Sequence, residues 1–411
     1  MSEAFTQFDA FFNILIIVTV ITLAARRFRF PSTIALIFAG LFATLTPEFP
    51  ILNLGPEIFV TLLLPPIIFQ ETLHLDIDGL IDDSDTILNY AVVGTLIMVV
   101  AVAAFARYVM GFEIVEAFLL GVIISPTDPV AVISTFRSLG VIKRFQLLVA
   151  GESLFNDGVA IVIYTLLVTL VASGSMTSLD IASMSLVKVV GGCILGMAAG
   201  YVVHLLFCWT DDKFAEVLIS FIVAFGVSRF SEELGASGVI TTVLAGLIIN
   251  YRCRNYGGLT EGSREMLDAI WEFVGFTASS IAFIFIGLNL DPSVLQRYLG
   301  PITALTFFIL IARYVMVVAI AEIVERTSGK KIPRNWRQGI FWSGLRGAVS
   351  VVLVLGVGGL SLPHGEVMIA LTFGVVLASN LIQGLTMPGV VRRIGLTAQR
   401  VIPAAGVRDD D

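Results

Sequence analysis

From residue 10 to residue 390 the chain scarcely leaves apolar sequence, and it does so in runs long enough to cross a lipid bilayer. About 30 Å of hydrocarbon needs a helix of roughly 17–25 apolar residues. Thirteen such runs lie near 10–25, 32–46, 57–75, 87–110, 114–138, 145–171, 185–208, 214–231, 236–250, 265–290, 299–324, 336–359 and 366–390. A soluble domain could not bury them, because single cores stop growing beyond roughly 250–300 residues. Only 14% of the 411 residues are charged, against roughly 25% in a soluble domain. A backbone in lipid must satisfy its own hydrogen bonds, so the expected fold is an all-α polytopic membrane protein. It reads as one transmembrane domain over 1–400, followed by a short polar cytoplasmic tail at 401–411.

Charge sets the expected orientation. Of the 25 Lys and Arg residues, nineteen fall in 26–31, 137–144, 252–264, 326–337, the C-terminal segment and Lys213. The opposite loops hold four, Arg107, Lys188, Arg229 and Arg297. By the positive-inside rule the N-terminus is outside and the C-terminus cytoplasmic. The N-terminal MSEAFTQFD is acidic and lacks the basic region of a cleavable signal, so the first run is expected to stay as a helix.

Thirteen spans divide into six (10–171), a linker span (185–208) and six (214–390). The fifth span is interrupted by Pro126 and Pro129, and its counterpart, the twelfth, by Gly344-Leu345-Arg346-Gly347. Interrupted helices at corresponding places in two halves point to an inverted-repeat transporter with broken helices crossing at a midplane site. The correspondence is one of position; the letters of the two halves do not match.

Composition excludes several partners. A net charge of −7 gives no basic face for nucleic acid. There is no GxxxxGK[ST] loop, so neither nucleotide nor ATP-driven pumping is expected. Cys193, Cys208 and Cys253 have no metal-ligand spacing, and no cofactor is expected. His74, His204 and His364 all fall near span ends, against a histidine relay in the core.

Ionisable groups inside spans cost a few kcal/mol each and mark function by default. Here they are Glu71, Asp128, Glu152, Asp157, Glu272, Arg313 and Arg346. In Ser125-Pro126-Thr127-Asp128-Pro129, two prolines remove backbone donors and unwind the helix. The freed carbonyls, the Thr127 hydroxyl and the Asp128 carboxylate make a hard-oxygen site for a small cation. Asp128 also reads as a cap for the following half-helix.

In Gly151-Glu152-Ser153-Leu154-Phe155-Asn156-Asp157-Gly158, residues four apart share a helix face. Glu152 stacks with Asn156, and Ser153 with Asp157. Two neighbouring carboxylates at low dielectric cannot both be unpaired anions. The economical division pairs Glu152 with a buried arginine and leaves Asp157 to trade a proton for a cation. Arg313, too deep to snorkel, is the expected partner of Glu152, with Arg346 the alternative. Arg346, among glycines, is expected where another backbone approaches, balancing Asp128 and the half-helix ends. Glu71 reads equally as a cation ligand and as an interface residue, and Glu272 as a residue facing headgroups.

These stretches together resemble the sodium/proton exchanger family of monovalent cation–proton antiporters, in its electroneutral, NhaP-like prokaryotic branch. The resemblance rests on Leu64–Phe69 (LPPIIF), Ser125–Val132 (SPTDPVAV), Gly151–Gly158 (GESLFNDG), Ser237–Val239 with Gly246, Trp271-Glu272, Ile286–Leu288, Gly344–Val349 (GLRGAV) and Gln383–Thr386 (QGLT). It implies thirteen helices as an inverted repeat, a homodimer, and an elevator-like transport domain. It also implies a role in pH homeostasis at the cytoplasmic membrane. It places Na⁺ or Li⁺ on Asp157, with Ser153, Thr127 and Asp128 around it, and makes Glu152–Arg313 a structural ion pair. Asn156 before the aspartate implies electroneutral exchange. Two departures touch selectivity: Gln70 stands where relatives carry Glu, with Glu71 one residue later, and Ser279 stands where relatives often carry Asn. The short tail implies no large regulatory domain. The alternatives are K⁺/H⁺ exchange on the same fold, a cation channel, and an intramembrane aspartyl protease using Asp128 and Asp157.

Overall fold

A computed structural model describes residues 2–28, 30–44, 59–175, 177–289, 292–360 and 362–397. The ends of the second and third expected spans (45–46 and 57–58) and the 401–411 tail lie outside the described residues. The helices are α1 (Ser2–Phe28), α2 (Ser32–Thr44), α3 (59–74), α4 (Ile77–Asp82), α5 (Ser84–Tyr108), α6 (Ile114–Ile124) and α7 (Val130–Leu139). They continue as α8 (Lys143–Ser173), α9 (Leu179–Trp209), α10 (Lys213–Glu233), α11 (Gly238–Tyr256) and α12 (Glu261–Leu288). The last are α13 (Pro292–Arg297), α14 (Leu299–Ser328), α15 (Arg334–Trp342), α16 (Ala348–Val357) and α17 (Gly365–Ile394). Among the described residues there is no strand; Val141 and Thr397 form an isolated bridge.

Seven of these, α5, α8, α9, α10, α12, α14 and α17, are long and apolar enough to cross a membrane. With α2, α6 and α16 as shorter apolar helices, they make an all-helical membrane protein. Local chemistry sets the helix ends. The Asp212 side chain accepts from the backbone N–H of Phe214 and Ala215 and opens α10, and Thr260 caps α12 through Ser263. Such acceptors satisfy donors that a helix start leaves free. Gly140, at φ 65°, turns the chain from α7 towards α8, a conformation that glycine adopts without a Cβ penalty.

Two packed groups of helices result. In one, Trp271 of α12 stacks on Phe221 of α10 at 4.7 Å and tilts against Phe69 of α3 at 4.6 Å. Its indole N–H donates to the Ser220 hydroxyl at 2.8 Å. Buried Val203 and Phe207 of α9, with Ala245 and Ile249 of α11, complete that cluster. In the other group α5, α6, α8, α14, α16 and α17 pack on one another. The helical path is broken at 125–129, between α6 and α7, and at 343–347, between α15 and α16. α17 also carries a widened π-helical turn at Asn380–Gly384; such turns re-aim side chains within a helix.

Candidate functional site

The two breaks meet. The backbone N–H of Asp128 donates to the Leu345 carbonyl at 2.8 Å, so the first interruption is tied directly to the second. The Asp128 carboxylate accepts from the N–H of Val130 at 2.9 Å and from the N–H of Ala348. Those residues open α7 and α16, so one carboxylate caps two half-helices at their positive ends. Gly347 makes this approach possible, because a Cβ there would fall on the Asp128 carboxylate.

Arg346 sits on the opposite pole. It is fully buried, and its Nη1 donates to the carbonyls of Ser125 and Pro126, at 2.5 and 3.1 Å. Those carbonyls lie at the C-terminal, negative end of α6. Of the two expected partners of Arg346, Asp128 and the half-helix ends, its guanidinium meets the end of α6. The arginine serves the half-helix end, while Asp128 is held by backbone N–H groups. The Arg346 backbone is fixed by two residues of α17, Ser379 accepting from its N–H at 3.3 Å and Asn380 donating to its carbonyl at 2.8 Å.

Against the first break lies α8. Its Ser153 hydroxyl donates to the Thr127 carbonyl, and the Asn156 amide donates to the Thr127 hydroxyl at 2.9 Å. Ser153, Asn156 and Asp157 are all buried. Asp157 Oδ1 has no hydrogen-bond partner among the described residues, and the carboxylate lies in the electrostatic range of Glu71 and Asp128. Glu71, half-buried at the end of α3, likewise feels Asp128. Gln70 turns elsewhere, packing against α12 where Gly275 leaves room. So the structure brings Asp157, Asp128, Thr127, Ser153, Asn156 and Glu71 together. Three carboxylates, two hydroxyls and open backbone form an oxygen-rich site matched to a hard cation. Ser279 is buried on α12, whereas Glu272 is exposed.

Glu152 points away from this site. Its Oε1 lies 2.6 Å from Arg313 Nη1, with both side chains nearly fully buried. Arg313 Nη2 also donates to the Ile340 carbonyl at 3.2 Å, which links the pair to the end of α15. Sequence reasoning missed Ser379 and Asn380, whose signal was an adjacent polar pair inside an otherwise apolar run. It also missed Glu116, which is 2% exposed and three residues after Glu113 in a capping-box spacing.

Comparison with known proteins matches residues 14–393 to the family model of the transmembrane sodium/hydrogen exchanger. The chain belongs to the sodium/hydrogen exchanger family. It is a transporter, not an enzyme. It is 32% identical over 378 residues to the low-affinity Na⁺/H⁺ antiporter NhaS1 of Synechocystis sp., covering 90% of this chain and 70% of that protein. The Na⁺/H⁺ antiporter NhaP of Pseudomonas aeruginosa is 30% identical over 405 residues, covering 92% and 94%. The structure of the sodium proton antiporter MjNhaP1 from Methanocaldococcus jannaschii superposes with a TM-score of 0.77 at 17% identity, covering 95% of this chain and 99% of that one. This last likeness shows a shared fold.

Proposed function

We propose that this exchanger trades Na⁺, or Li⁺, for H⁺ one for one, with cation and proton competing for Asp157. The observation that carries the reading is the buried Asp157 Oδ1, without a hydrogen-bond partner among the described residues, on the helix whose Ser153 meets Thr127. A carboxylate there is neutral when it carries a proton and compensated when it carries a monovalent cation. Either load removes the cost of an unpaired buried charge. Thr127, Ser153 and Asp128 surround the ion, with Glu71 as a further carboxylate, and Asn156 fixes the Thr127 hydroxyl. The Glu152–Arg313 pair is structural, and Arg346 neutralises the carbonyl end of α6.

In this proposal thirteen spans form two inverted six-helix repeats around a linker helix. The group α5–α8 with α14–α17 moves as the carrier in an elevator, against the group holding α3 and α9–α12. The protein acts as a homodimer in the cytoplasmic membrane, N-terminus outside, and serves pH homeostasis. Names of relatives and the shared fold support Na⁺/H⁺ exchange; the single exchanging carboxylate supports the one-for-one stoichiometry. A Na⁺-driven proton flux assay on Asp157→Asn tests the assignment. Loss of exchange in protein that remains folded and monodisperse is expected. Residual saturable exchange would remove Asp157 from the centre.

A further inference from the structure

The half-helix α6 is held at both ends, and only one end belongs to the site. At the break its last carbonyls rest on Arg346. At the other end Glu116, 2% exposed, meets His364 in the turn between α16 and α17. Glu116 Oε1 accepts from the His364 backbone N–H at 3.0 Å, and Oε2 lies 2.6 Å from His364 Nδ1. Phe112 stacks on the imidazole, with centroids 4.7 Å apart and planes at 17°. Arg107 Nη1 in turn donates to the Phe112 carbonyl at 2.9 Å. The contact joins residues 248 apart in the chain. It lies at the end of the bundle opposite the basic 137–144 loop.

We infer that Glu116 and His364 form a second, proton-responsive tie that positions α6, and with it Thr127 and Asp128, against the other broken helix. The inference rests on the exchange reading above. Arginine stays charged at any working pH, so the tie at the break is constant. Imidazole is the side chain whose ordinary titration falls between about pH 5 and 8. The His364 side chain is 35% exposed while that of Glu116 is 2% exposed, so protons reach the ring from solution. A neutral ring donates one hydrogen bond through Nδ1; a protonated ring makes the same contact an ion pair, which is the stronger bond. Charged groups on the neighbouring elements are Arg107 of α5, Glu113 at the start of α6, Arg297 of α13 and Glu366 in the first turn of α17, all exposed, whereas Glu116 is the buried carboxylate that the ring meets. Acid on this face therefore tightens α6 against His364 and holds the break in register, through contacts that never touch the transported ion. His364 and Glu116 are positioning residues.

The test compares wild type with His364→Asn, which keeps a donor at the Nδ1 position but does not titrate. Na⁺-driven proton flux is measured in proteoliposomes of fixed orientation while pH is varied on the His364 face alone. The ratio of wild-type to variant rate should be near one at about pH 8. It should rise to about fivefold at about pH 5.5, the order of gain when a hydrogen bond to a carboxylate becomes an ion pair. Acidifying the opposite face should leave the ratio unchanged. A ratio that is constant across pH would overturn the inference, leaving a structural contact only. Glu116→Gln, which keeps one acceptor oxygen for the two contacts and loses the charge, should likewise show a wild-type to variant ratio that rises with acid, and decides the matter if His364→Asn does not fold. If wild type itself shows no coupled flux, the exchange reading fails; if wild type exchanges and the ratio is flat, only this inference does.

Discussion

Two carboxylates of one helix, five residues apart, receive opposite environments, and the proposed exchange rests on that division. Glu152 is matched to Arg313 at 2.6 Å, while Asp157 keeps an oxygen free beside the unwound Thr127-Asp128 backbone. The pair is expected to contribute to stability mainly through what its removal leaves behind. Glu152→Ala strands a buried guanidinium, and breaking a buried pair in this way costs about 3–5 kcal/mol. Thermal unfolding in detergent should therefore show a large drop and poor expression. A variant as stable as wild type with a changed Na⁺ affinity would instead make Glu152 a ligand. Position 71 shows how one residue of register matters. A step of about 100° round a helix separates Gln70, which packs on Gly275, from Glu71, whose charge reaches Asp157 and Asp128.

At the scale of elements, the site is made by two helices that stop at the same depth. Asp128 closes two half-helix starts, Arg346 holds the end of α6, and Arg313 donates to the Ile340 carbonyl near the end of α15, so each half-helix end at the two breaks meets an opposite charge. This requires the backbones to touch at Gly347. Gly347→Ala puts a methyl into the Asp128 carboxylate, and exchange should fall by about 10²-fold, the cost of displacing reacting groups by about 1 Å. Full activity in that variant would show that the crossing is looser than described. Much of this was legible in the sequence. Pro126 and Pro129 announced the first interruption, the Gly344–Gly347 run the second, and the apolar runs the helices. What was not legible depended on which helices face one another. Ser379 and Asn380 read as two polar residues in an apolar span, and their task becomes visible only once α17 lies against Arg346. Glu116 and His364, distant in sequence, carried no common pattern. The widened turn at Asn380–Gly384 has no letter signature either, since Asn, Gln and Gly occur in ordinary helices.

Over the whole molecule, two packed groups of helices share an interface that passes by the site, with α3 and α12 on one side and the broken helices on the other. The basic loops are fastened to the acidic 76–85 segment. Arg144 donates twice to Asp83, at 2.6 and 2.7 Å, and Lys330 reaches Asp85 at 2.6 Å. The hydrogen bond from Arg144 holds the Asp83 carboxyl below its ordinary value, against the opposing effect of burial. A carboxyl lowered in the folded state stabilises the fold above its unfolded value of about 3.9 and loses that contribution as pH falls through the folded value. Asp83→Asn should thus cost about 1 kcal/mol at neutral pH, discounted for the exposure of Arg144. The gap from wild type should close below about pH 4, as followed by thermal unfolding; a gap independent of pH would mean that the contact is not electrostatic. The central claim is one-for-one exchange at Asp157. Its most direct test is Na⁺-driven proton flux in proteoliposomes, with the membrane potential left free or clamped. Saturable flux that ignores the clamp, with an apparent Na⁺ affinity that weakens as pH falls, is the predicted result. Flux accelerated by the clamp, or no proton coupling at all, would contradict the account.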